Sequence, residues 1–307
     1  MTQLKKIILE TARIPHSCQY TARTRRGDYL VQIAWPLCWN EDRVPPKDDP
    51  PPVSTIYVVD GNAYFFTAAD ISRRLEFTED SRTVVVAIGY HNTECVYDIR
   101  REGDLTPPSK DGKYDVVYGL DGEPKPGDRY GGASDFLDVI EHDIMPFVEG
   151  SLFPDAPMRT KALFGHSYGG IFTLNALFTR PTLFETFIAA SPSIWFNHKS
   201  IVKWQEDEFR KRDADPVTPA PRVLLTWGSG EERLAKRARE SEERFALRVR
   251  VEGDKKMITY GRAMVARLQD CPSLRSVGKW EFEGEDHGSA AVCGLQKGLI
   301  KFLVEGE

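Results

Sequence analysis

Apolar residues along this chain collect into short, nearly unbroken runs separated by stretches of helical periodicity. Residues 54–59 and 83–89 are two such runs, and the segment from Ala63 through Arg74 between them reads as a helix. Two buried strands joined by a helix make a βαβ unit, which implies a parallel sheet and a right-handed crossover. Residues 29–35, closed by Pro36, and residues 161–164, 186–190, 222–227 and 279–282 read as further strands, with a weaker first strand over 10–20. Helices are expected over residues 133–148, where Phe136, Val139, Ile140, Ile144 and Phe147 recur near helical spacing, and over 171–177. Residues 198–211 read as a charged surface helix, and residues 231–270 as two helical pieces broken near Gly253 and Asp254. Val292, Leu295, Leu299, Ile300 and Leu303 mark a terminal amphipathic helix. The proline-rich residues 44–52 can be neither helix nor central strand and read as a stiff surface loop. Residues 90–132 carry no clear period, and a loop of that length is functional, disordered or hides a short element. With no internal repeat and no linker, residues 1–307 are expected to form one α/β domain, a mostly parallel sheet with helices on both faces.

Composition narrows the class of partner. A hydrophobic fraction of 41% and a charged fraction of 28% are ordinary for a globular chain. The net charge of −5 is spread along the sequence without a basic block, so nucleic acid is not an expected partner. No stretch reaches the length of a membrane span, and Ile7-Ile8-Leu9 behind Lys5-Lys6 is too short for a signal-peptide core. Cys18, Cys38, Cys95, Cys271 and Cys293 are scattered without metal-binding spacing, which points to a reducing, cytoplasmic setting and to no bound metal or cofactor.

The chemistry concentrates at Gly165-His166-Ser167-Tyr168-Gly169-Gly170. An apolar strand runs into Gly-x-Ser-x-Gly and a helix follows at once, the order of a nucleophile elbow. Small residues flank the serine because a side chain at Gly165 or Gly169 would meet the neighbouring strand and helix. The helix beginning after Ser167 aims its positive end at an oxyanion formed there. A serine hydroxyl needs a base. In α/β-hydrolases the partners follow in the order serine, acid, histidine, each just past a strand end. Among six histidines, His287 meets both conditions; His91 is a rival at an earlier strand end, and His166 should point away from its neighbour Ser167. Glu231, after the 222–227 strand and a Gly228-Ser229-Gly230 turn, is the expected acid, with Glu232 as the alternative and Asp286 as a loop cap. One oxyanion donor is the N–H of Tyr168; the other is Gly61 or Asn62 in the turn after residues 54–59, and Asn62 is chosen.

With these residues placed, the chain resembles the esterase branch of the α/β-hydrolases. It is most similar to the siderophore esterases, meaning bacterial enterobactin-type trilactone hydrolases and fungal esterases of triacetylfusarinine-like siderophores. The shared marks are Tyr57-Val58-Val59-Asp60-Gly61-Asn62-Ala63-Tyr64-Phe65, Arg101 through Asp104-Leu105-Thr106-Pro107, the elbow, Ser191-Pro192-Ser193-Ile194-Trp195, Gly228 to Glu231, and Asp286-His287-Gly288-Ser289. The resemblance implies a small-molecule ester substrate, a ferric siderophore whose iron arrives with it, cut by a serine mechanism inside the cell. It also makes Tyr97, Arg100, Arg101, Trp195 and Phe196 candidates for the pocket wall, cationic and aromatic groups suited to a polar chelate. A feruloyl, thio- or simple ester, or a binding protein built on the fold, are the other readings.

Overall fold

In the computed structural model, residues 13–47, 53–92, 94–119, 121–125, 129–156, 158–212 and 215–305 are described. Eight strands form one sheet: β1 (Ser17–Thr24), β2 (Gly27–Ala34), β3 (Val53–Val59), β4 (Thr83–Gly89), β7 (Met158–His166), β8 (Thr186–Ala190), β9 (Arg222–Gly228) and β10 (Ser276–Phe282). Their order is β1-β2-β4-β3-β7-β8-β9-β10; the β1–β2 and β2–β4 pairs are antiparallel and the pairs from β4 through β10 are parallel. The helices are α1 (Gly61–Glu79), α2 (Arg101–Asp104), α3 (Ala133–Val139), α4 (Tyr168–Thr179), α5 (Phe196–Ile201), α6 (Asp207–Arg210), α7 (Glu242–Glu252), α8 (Met257–Leu268) and α9 (Ser289–Leu303). Strands β5 (Val117–Tyr118) and β6 (Pro124–Lys125) pair as a separate small ribbon.

Alternation along the strands decides which helices cover which face. Ile56, Val58, Val85, Ala87, Ala162, Phe164, Ile188 and Leu224 face α1 and α9, with Phe65, Ala68, Leu75, Leu295 and Leu299 packed on them. Tyr57, Val59, Val84, Val86, Leu163, Phe187, Val223, Leu225 and Trp227 face the other way, onto Phe136, Phe172, Met264 and Leu268 of α3, α4 and α8. Residues buried on both faces explain why the central strands read as unbroken apolar runs. No helix among the described residues is long and apolar enough to cross a membrane.

Several expectations shift. The first strand begins at Ser17 rather than near residue 10, because it is an edge strand whose half-exposed residues alternate instead of forming an apolar run; residues 10–12 lie outside the described residues, as do 48–52 of the proline-rich loop. The helix at 133 continues through two π-helical turns, Ile140–Ile144 and Phe147–Leu152. The helix expected at 198–211 is not wholly a surface element: Gln205 and Glu206 are buried, and Arg267 of α8 donates to Glu206 at 2.5 and 2.9 Å. Residues 231–241 are not helical, so the first of the two expected pieces starts only at Glu242. The long 90–132 loop holds α2 and the β5–β6 ribbon.

Candidate active site

The parallel strands bring their carboxyl ends to one edge of the sheet, and the chain turns sharply there three times. Asp60 after β3, Ser167 after β7 and Ser191 after β8 all have positive φ (56°, 59° and 42°), a strained conformation for residues with a Cβ. At Ser167 the strain has a visible cause. A Cβ on Gly165 would lie 2.1 Å from the Gly169 carbonyl oxygen, and one on Gly169 would lie 3.0 Å from Val59 Cγ2. Strand and helix therefore meet with room for hydrogen alone, which forces the serine outward at the apex.

Three loops converge on that serine. His287 Nε2 is 3.0 Å from Ser167 Oγ, and His287 Nδ1 is 2.7 Å from Glu231 Oε2. An ionised carboxylate only accepts, so Nδ1 carries the proton and Nε2 presents its lone pair to the serine hydroxyl. Glu231 is held in turn at its other oxygen by the Ser191 hydroxyl at 2.6 Å and the Gly228 N–H at 2.7 Å. Its side chain is fully buried whereas that of His287 is 43% exposed, so the acid is dry and the imidazole forms part of the wall. Glu232 turns the other way, accepting from the Thr259 N–H at 2.6 Å and the Thr259 hydroxyl at 2.9 Å in the first turn of α8. Asp286 caps its own loop through the N–H groups of Gly288 and Ser289.

Ser167, Tyr168, Ser193, Arg101 and His287 open into a cavity of about 220 Å³. Val117 and Tyr118 of the ribbon, Trp195, Val251 and Lys255 divide it from a larger cleft of about 1100 Å³. The Lys255 ammonium lies 5.0 Å from the centre of the Trp195 ring, and burial lowers its pKa. Arg101 is fixed by a bidentate pair with Asp60 at 2.7 and 2.8 Å and lies 5.5 Å from the Tyr168 ring centre. Among the described residues no group of three or more His, Cys, Asp or Glu could hold a metal ion.

A family model described as "Putative esterase" matches residues 42–261, well over half of the chain. The chain belongs to this esterase family. It is 38% identical over 281 residues to the siderophore enterobactin esterase of Emericella nidulans, covering 91% of this chain and 90% of that one. It is 36% identical over 294 residues to the siderophore triacetylfusarinine C esterase of Aspergillus fumigatus, covering 94% of each. Among solved structures, the siderophore hydrolase EstA from Aspergillus nidulans superposes with a TM-score of 0.87 at 34% identity, over 98% of both chains. The fold of this esterase is accordingly the α/β-hydrolase fold, with strand order and elbow to match.

Of the residues that sequence alone nominated, the esterase brings Ser167, Glu231, His287, Tyr168, Arg101 and Trp195 to the cavity. Four others lie elsewhere. Arg100 turns back to the β1–β2 hairpin, donating to the Asp28 carbonyl at 2.8 Å and stacking 4.7 Å from the Tyr29 ring centre. Phe196 is buried between Tyr130 and Tyr168 as part of the core. Tyr97 lies behind Arg101, its hydroxyl 2.6 Å from that of Tyr64. The Asn62 side chain is spent on Tyr90, accepting from its N–H and donating to its carbonyl, both at 2.7 Å, and the residue does not line the cavity. Sequence reasoning named Ser191 within a shared motif and turned His166 away from Ser167, but gave neither its partner: Glu231 for Ser191 and the His287 carbonyl for His166. Neither has a local signal, since both act on residues far along the chain.

Proposed function

We propose that this esterase hydrolyses ester bonds of a ferric siderophore by a serine mechanism. The observation that carries it is the unbroken chain Glu231–His287–Ser167, with spacings of 2.7 and 3.0 Å, ending in an open cavity. His287 Nε2 takes the Ser167 proton as Oγ attacks the ester carbonyl, and Glu231 stabilises the imidazolium that results. The Tyr168 N–H, at the start of α4, holds the oxyanion. His287 then passes its proton to the departing alcohol and removes one from the water that releases the acyl group.

The names of the relatives support a siderophore as substrate, and cutting its ester links would untether the iron-binding arms and weaken chelation. The 220 Å³ chamber suits a single ester arm, while the adjoining 1100 Å³ cleft has room for the rest of the chelate. Arg101, Trp195 and Lys255 supply the cationic and aromatic wall. The reading of residues 1–307 as one domain is supported by the single sheet that runs from Ser17 to Phe282. Free thiols at Cys18, Cys95 and Cys293 support a reducing, cytosolic site of action.

The test is mass spectrometry of products after incubation with a ferric triacetylfusarinine-type trihydroxamate and a ferric catecholate triester, wild type beside Ser167→Ala. Linear fragments that require Ser167 are expected. Intact siderophores together with rapid Ser167-dependent cleavage of simple aryl esters would leave a serine esterase of another substrate class.

A further inference from the structure

The imidazole of His166 lies directly behind the site on the face of the strand opposite to Ser167, and it is buried. Its Nε2 is 2.9 Å from the main-chain carbonyl oxygen of His287, and its Nδ1 is 3.1 Å from the Tyr64 hydroxyl. A carbonyl oxygen only accepts, so Nε2 carries the proton. The neutral ring then has a lone pair at Nδ1, and the Tyr64 hydroxyl must donate to it. The Tyr64 oxygen is thereby left as the acceptor for the Tyr97 hydroxyl at 2.6 Å. Every bond in the series Tyr97 to Tyr64 to His166 to the His287 carbonyl has one possible direction.

A second proton on His166 would have to replace the bond from Tyr64. The groups around the ring are Tyr64 of α1, Arg101 of α2 and His287 itself, whose ring centre is 4.6 Å away. Burial, His287 and the Arg101 guanidinium all hold the His166 pKa well below its ordinary value. The ring thus stays neutral, with Nε2–H aimed at the carbonyl.

In the loop that carries His287, residues 283–289 are half-buried or exposed. Its neighbours are tied down, by Gly230 N–H to the Glu285 carbonyl at 2.9 Å and by Asp286 to Gly288 and Ser289. The peptide between His287 and Gly288 is held from both sides, its N–H by Asp286 Oδ1 and its carbonyl by His166 Nε2–H, the latter being its tie to the body of the sheet. A shift of the His287 main chain carries its Cα, and with it the imidazole, relative to Ser167.

We propose that His166 is a positioning residue: through the His287 carbonyl, and locked in one tautomer by Tyr64, it sets the distance between His287 Nε2 and Ser167 Oγ. This rests on the reading of His287 as the base. Displacements of an ångström at a reacting centre cost up to about 100-fold in rate, and the loss falls on kcat because the substrate does not touch His166.

The experiment compares wild type, His166→Phe, His166→Gln, Tyr64→Phe and His287→Ala on an aryl ester, with kcat expressed per folded protein and the fold of each variant checked by circular dichroism. His166→Phe fills the space without a donor and is expected to lower kcat about 30- to 100-fold with KM nearly unchanged. Glutamine can donate to the carbonyl and accept from Tyr64, so His166→Gln should recover kcat to within about fivefold. Tyr64→Phe releases the tautomer and should cost roughly three- to tenfold, which keeps the test decisive should His166→Phe not fold. Equal losses in the Phe and Gln variants, or wild-type kcat in His166→Phe or Tyr64→Phe beside an inactive His287→Ala, would overturn the positioning role alone. Wild-type kcat in His287→Ala would remove the base and the proposal with it.

Discussion

Glu231 and Glu232 are consecutive in the chain, yet Glu231 Oε2 lies 2.7 Å from His287 Nδ1 while Glu232 accepts the Thr259 N–H at 2.6 Å in the first turn of α8. One carboxylate orients the imidazole and the other satisfies a helix terminus. Glu231→Gln is expected to lower kcat by about 10³- to 10⁴-fold, because an amide cannot stabilise the imidazolium as a carboxylate does. Glu232→Gln should keep kcat and cost about 1 kcal/mol of stability through a weakened cap. Steady-state kinetics beside chemical denaturation of both variants separate the two roles; equal activity in the two would contradict the assignment.

Ser191 donates to Glu231 Oε1 at 2.6 Å from a buried position. Its removal leaves a buried carboxylate oxygen with the Gly228 N–H as its remaining partner. Hydrogen bonds to charged groups contribute about 1.5–3 kcal/mol, so Ser191→Ala should lower both the unfolding free energy and kcat, the latter by about tenfold. An unchanged kcat would show that Gly228 alone suffices to orient Glu231.

Lys255 and Trp195 stand between the small chamber and the large cleft. A ferric tricatecholate is trianionic and a ferric trihydroxamate is neutral, so loss of one cation affects them differently. Lys255→Met should reduce kcat/KM for the catecholate triester by about 3- to 30-fold and leave the hydroxamate within about threefold, matching a cation contribution of roughly 0.5–2 kcal/mol. Equal effects on both substrates would mean that Lys255 acts through packing.

His166 introduces a pH dependence whose sign follows from its environment. The unfolded chain protonates this imidazole below its ordinary pKa of 6.5, whereas the folded protein resists until much lower pH. Between those two values the unfolded state holds more protons, so stability falls as pH is lowered through that window and is unaffected above it. Urea unfolding of wild type and His166→Gln between pH 8 and 5 should show a shallower acid slope in the variant. Parallel slopes would contradict the buried neutral ring.

Gly165 has no room for a methyl group, its Cβ position lying 2.1 Å from a backbone oxygen. Gly165→Ala must therefore move main chain at the elbow, and about 2–3 kcal/mol of destabilisation with near-complete loss of activity is expected. Thermal unfolding and serine titration of the variant provide the check.

Much of this architecture is legible in the amino-acid order. Strands buried on both faces must be apolar throughout, so residues 54–59, 83–89, 186–190 and 222–227 are visible as strands without any partner in view. The elbow around Ser167 is equally local, because its steric demand for glycine is met within five residues. The order of Glu231 and His287 after Ser167 likewise follows from placing each at a strand end. What the order of residues could not decide is where each side chain points. The turn after β9 selects Glu231 over Glu232 through Ser191 and Gly228, forty and three positions away. Arg100 and Arg101 are adjacent, yet helix geometry sends one to the β1–β2 hairpin and the other to the cavity. Phe196 sinks into the core and Trp195 lines the cleft for the same reason. Backbone periodicity and steric limits act over a few residues and are written in sequence. Hydrogen-bond partners and cavity walls are shared between distant segments, and they exist only once the sheet has brought those segments together.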